Sequence, residues 1–242
     1  MKSEGVNNLA ADVINRLALL SKRNTESIRA LRREFSKRLS DAPPEFVFRL
    51  SLHLLKRKET VPRFLAYELI QHHREALRSL NPKKLKLLGA GIDNWGAVDT
   101  FACYLAGPAW RERQVPDTLI ARWAHSKDRW WRRAALVSTV PLNSKARGGA
   151  GDTARTLSIC EVLVSDRDDI VVKALSWALR ELTKRDPQAV RGFLRTHQAV
   201  LAPRVIREVQ NKLRTGLKTP RSDKRRFVVA GARGRSRNTT RN

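Results

Sequence analysis

The sequence is poor in cysteine, in acidic residues and in long apolar runs, and each shortage closes off a class of protein. Its two cysteines, Cys103 and Cys160, sit inside apolar helical patterns, with no C-x-x-C spacing and no companion histidine pair. A disulfide scaffold is excluded, and buried thiols in a reducing compartment are expected. The five histidines are scattered, and the adjacent His72 and His73 fall on different faces of a helix, so neither a metal site nor a cofactor is expected. No apolar stretch approaches the ~20 residues of a membrane span, and MKSEGVNNLAADVINRL has no signal-peptide core. The expectation is a cytoplasmic protein.

What the chain has in excess is positive charge. Lys and Arg number 49 against 23 Asp and Glu, a formal net charge of +26. A polyanionic partner follows, and charge alone fits a ribosomal or chromatin-like protein as well as a sequence- or damage-directed DNA protein. With 242 residues, 41% of them hydrophobic, the body is long enough for one folded domain. A chain of roughly 150 residues already buries about two-thirds of its unfolded surface.

Helix signals recur along the chain and strand signals do not. Asn24 and Thr25 precede Glu26, a capping pattern, and Ile28, Leu31, Phe35 and Leu39 follow at helical spacing. Pro43-Pro44 ends that helix and opens the next, and Pro62, Pro82, Pro116, Pro187 and Pro203 also stand near the starts of helical runs. The segments DNWGAVD from Asp93, DRWWRRA from Asp128 and DDIVVKA from Asp168 superpose with starts 35 and 40 residues apart. That period suits HEAT-like helix pairs in an all-α repeat fold, with an unrelated helical bundle as the alternative. Residues 143–153, NSKARGGAGDT, read as a polar Gly-rich loop. A repeat domain over 1–218 is expected, followed by a disordered basic tail over 219–242 with eight basic residues and one acid.

In that superposition Asp99 falls opposite Ala134 and Ala174, where helix packing wants a small apolar residue, and Val98 falls opposite Arg133 and Lys173. A carboxylate that breaks a packing rule is a candidate site. Stacked repeats would set the cations in a row beside it. Trp95 lies four residues before Asp99 and Trp177 four after Lys173, so each shares a helical face with its partner. For any single tryptophan, Trp130 and Trp131 included, filling space between helices is the simpler role.

Taken together, DNWGAVDTFA, RWWRRAALVS and VVKALSWALRE in this order resemble the AlkD-like alkylpurine DNA glycosylases, over roughly residues 25–215. The resemblance implies a C-shaped superhelical solenoid with a basic concave groove that holds duplex DNA and releases cationic N3- and N7-alkylated purines. It assigns Trp95 and Asp99 as the catalytic pair of a W-x-x-x-D arrangement, Arg133 as a groove arginine and Trp177 as a second catalytic tryptophan. Arg133 and Lys173 are then the expected phosphate contacts, and the protein is expected to act as a monomer. The sequence departs from the family pattern in a longer 143–153 loop and in the lack of a matching N-terminal aromatic. Two other readings stand beside it: a noncatalytic HEAT-like DNA-binding or scaffold protein, which fits the same charge, and a protein adaptor, for which a less uniformly positive chain is expected.

Overall fold

The computed structural model describes residues 3–219, so from residue 220 the expected basic tail lies outside the described residues. Helices α1 (Ser3–Ala18), α2 (Thr25–Arg38), α3 (Pro44–Leu55), α4 (Thr60–Gln71), α5 (Arg74–Arg78) and α6 (Pro82–Leu88) form the first half. Then come α7 (Trp95–Phe101), α8 (Gly107–Arg111), α9 (Asp117–Ala124), α10 (Arg129–Ser138) and α11 (Val140–Asn143). The chain closes with α12 (Thr153–Val162), α13 (Asp169–Leu182), α14 (Pro187–Thr196) and α15 (Pro203–Thr215). Among the described residues there is no strand, and no helix is long and apolar enough to cross a membrane.

The expected punctuation sets many of these boundaries. The Asn24 side chain caps α2 by accepting from the Ser27 amide at 2.9 Å, and prolines open α3, α6, α14 and α15. Proline serves there because the first helical amide has no partner within the helix to lose. The helices pack in two rows. In one, α2, α4, α7, α10, α13 and α15 each lie against the next; α1, α3, α9 and α12 lie behind, paired with α2, α4, α10 and α13. Both cysteines are buried.

The two rows meet in a tightly packed centre. Phe101, Trp123 and Trp131 form an aromatic cluster with ring centroids 4.9–5.9 Å apart, joined by Tyr67. Between α7 and α8 the chain stays helical but widens to a π turn over Ala102–Ala106. Pro108, just inside α8, accounts for it: a proline within a continuous helix lacks an amide hydrogen and its ring crowds the carbonyl four residues back. At Gly107 a Cβ would stand 2.7 Å from the Pro141 ring and 2.8 Å from the Ser138 carbonyl, so only glycine lets this run approach the end of α10.

Candidate nucleic-acid interface and carboxylate site

Three front-row helices carry the residues singled out in the sequence, and their caps set the register. Asp128 accepts from the Trp130 amide at 2.8 Å and Asp168 from the Ile170 amide at 3.1 Å, so each aspartate caps its helix. In α7 the cap falls instead on Asn94, which accepts from the Ala97 amide at 2.9 Å and leaves Asp93 outside the helix. Counted from the caps, Asp99, Arg133 and Lys173 are each the fifth residue of their helix. The superposition from Asp93 is thus one residue out at its first segment. Asp99 replaces a cation, not an alanine.

That register puts Asp99 directly against Arg133. The arginine Nε donates to Oδ1 and Nη2 to Oδ2, both at 2.8 Å, and Nη1 donates to the Ile170 carbonyl at 2.6 Å. One guanidinium from α10 therefore ties α7 to the start of α13. A planar fork on both carboxylate oxygens fixes orientation as well as distance. The Arg133 side chain is only 8% exposed, against 20% for Asp99. Arg133 is thus committed to the carboxylate and does not stand in a surface row of cations.

Burial lifts the Asp99 carboxyl above its ordinary value, while the hydrogen bonds and charge of Arg133 pull it back toward the anion. The net effect is upward, because taking a carboxylate out of water disfavours its charged form. The nearby Cys103 thiol is pushed up to about 12, chiefly by burial. It is a packing group and no nucleophile.

Trp95 differs from the other tryptophans. It opens α7 at 69% exposure, whereas Trp110 and Trp123 are buried and Trp130, Trp131 and Trp177 are partly buried against the core. Left exposed, so large an aromatic forgoes burial worth about 1.5–3 kcal/mol for a Phe-sized side chain. Beside it runs an open groove of about 440 Å³, lined by Ile28, Val61, Phe64, Tyr67 and Thr100 among others. Trp95 and Asp99 are one turn apart on α7.

The two remaining assignments lie farther along the row. Lys173 is exposed and pairs with Asp169 at 2.6 Å, and Arg204 of α15 reaches the same carboxylate at 2.8 Å. The hydrogen bond from Lys173 holds the Asp169 carboxyl below its ordinary value. Trp177 is one turn beyond Lys173 on α13, a helix separated from α7 by α10. Sequence reasoning missed a second carboxylate in this row. Glu68 of α4 accepts from Arg29 at 3.0 Å and Arg32 at 3.3 Å, with His72 at 3.8 Å, and Arg29 also donates to the Tyr104 hydroxyl at 3.0 Å. These partners are 36 and 39 residues apart, beyond the reach of any local motif.

No curated protein matches this sequence. The sequence does match, over residues 23–213, the family described as DNA alkylation repair enzyme. That span takes in α2 to α14 whole and nearly all of α15, with every candidate residue above. The chain belongs to the DNA alkylation repair enzyme family.

Proposed function

We propose that the protein is a DNA glycosylase that hydrolyses the N-glycosidic bond of cationic N3- and N7-alkylated purines in duplex DNA. The observation that carries this reading is a half-buried carboxylate, Asp99, held in a fixed orientation by Arg133 one turn from the exposed Trp95. In this reading the row of helices curves around the duplex. The exposed cations, Lys173 among them, meet phosphates, which positions DNA without reading its sequence.

An alkylated purine that already carries positive charge leaves readily, so no strong general acid is needed. Breaking its bond builds positive charge on the sugar, an oxocarbenium-like state. One carboxylate at ~4 Å, in an effective dielectric near 20, attracts such a charge by about 4 kcal/mol. Arg133 offsets part of that field, and about 3 kcal/mol still amounts to two decades in rate. Each carboxylate oxygen has two lone-pair sites and Arg133 takes one on each, so Asp99 retains acceptor capacity to orient a water. Trp95 packs against the deoxyribose, and its π face favours developing positive charge. Trp177 supports the backbone from α13.

The test is release of free base. Wild-type protein is incubated with a duplex holding one N7-methylguanine, and with a duplex holding a neutral lesion. The reading expects free 7-methylguanine from the first and no base from the second. Tight, salt-dependent binding without release across several cationic lesions would instead establish a noncatalytic DNA-binding protein.

A further inference from the structure

With Arg133 spent on Asp99, some other cation near the site must meet the phosphates, and the Gly-rich loop supplies one. The loop is not loose. Arg185 reaches back from beyond α13 to donate to the Asn143 carbonyl at 2.8 Å and the Gly149 carbonyl at 2.6 Å, and Arg111 donates to the Arg147 carbonyl. Asn143 closes the loop from inside, accepting from the Asp152 amide at 3.0 Å and donating to Thr156 at 2.8 Å. At Gly149 a Cβ would sit 2.3 Å from the Pro141 carbonyl, so the loop backbone lies flat on the end of α11. Gly148 holds φ +80, a conformation that glycine adopts without strain.

All of these ties use the Arg147 backbone or its neighbours and none uses its side chain. The Arg147 guanidinium lies over the Tyr104 ring at 5.5 Å, half-buried. Among the described residues it has no acidic partner within 4.0 Å and donates no hydrogen bond. An arginine parked on an aromatic face with its donors unused keeps a planar fork ready for a phosphate. Tyr104 also places it relative to the site. It lies five residues beyond Asp99 on the same helical run, a rise of about 7.5 Å along the axis at ~1.5 Å per residue, and its ring neighbours Phe64, which lines the Trp95 groove. That rise is about two nucleotide steps along one strand.

We propose that Arg147, presented by the pinned 143–153 loop and seated on Tyr104, binds a phosphodiester of the DNA strand within a few nucleotides of the lesion. This rests on the DNA-processing reading above but not on turnover, so its test uses undamaged duplex. Arg147→Gln should lower the slope of log affinity against log salt by about 0.9, the release of one phosphate's counterion, between about 50 and 200 mM salt. Arg147→Lys should retain the wild-type slope. An independent reading uses the unaltered protein: a dicarbonyl that modifies arginines, with mass spectrometry, should label Arg147 in free protein and lose that label in the presence of duplex. An unchanged slope in a folded Arg147→Gln protein, or undiminished labelling of Arg147 under saturating duplex, overturns the proposal. Either result stands whether or not the protein releases alkylated bases.

Discussion

Glu68 and Asp99 leave the same row of helices, and each is held by arginines from a neighbouring helix. The likeness ends at the surface of the fold. Glu68 is sealed at 2% exposure by Arg29 and Arg32 of α2 and by His72 just past the end of α4, whereas Asp99 has Arg133 alone and is 20% exposed. Glu68 therefore spends its charge inside the protein and ties α2 to α4. Asp99 ties α7 to α10 with the same chemistry but keeps an open side beside an exposed tryptophan. The contrast teaches that the same interhelical ion pair is sealed in one place and left with an uncovered flank in the other, and the proposed function needs the uncovered one.

Exchanging the demands on the two carboxylates breaks or sharpens that comparison. Asp99→Asn should stay folded, since its carbonyl still accepts one of the two Arg133 hydrogen bonds, yet lower single-turnover base release about a hundredfold or more with duplex affinity retained. Glu68→Ala should do the reverse. It leaves two guanidiniums without their carboxylate, and a loss of about 3 kcal/mol in denaturant unfolding is expected, at the lower edge for breaking a buried pair because Arg29 is itself partly exposed. Its rate per folded molecule should stay within about threefold of wild type, a shift of under 1 kcal/mol.

Arg133→Met separates the role given by the structure from the expected phosphate contact. With the fork gone, the Asp99 carboxylate loses its fixed orientation, and a fall in rate of about thirtyfold, near 2 kcal/mol, is expected. The salt slope of duplex binding should not change, since no phosphate contact is lost. Trp95→Ala has the smallest effect, about tenfold in rate, or some 1.4 kcal/mol. Its thermal midpoint should match wild type because the ring is 69% exposed.

Much of the fold was legible because its signals are local. Proline at helix starts, Asn24 and the aspartates at caps, and apolar residues at helical spacing each act within a turn or two of chain. The register of the first repeat was not, because Asp93 and Asn94 are both good caps and only the packed helix shows that Asn94 takes the amide. Trp95 and Asp99 stood out by spacing, but their difference from Trp110 or Trp131 is one of burial, which no spacing encodes. The commitment of Arg133 to Asp99 is a pairing across 34 residues, and the loop ties from Arg111 and Arg185 span 36 to 42. Those distances in sequence close only when the helices stack.

The most direct test of an ionised Asp99 as the working group is the pH dependence of single-turnover release of N7-methylguanine, with the uncatalysed loss subtracted, in wild type and Asp99→Asn. The carboxyl is raised above 3.8 in the folded protein, so the active anion is lost as pH falls through that raised value. Wild type should therefore show a rate that declines on acidification with an inflection above 3.8, and Asp99→Asn should be slow and flat over the same range. The same inflection in both proteins would contradict the account.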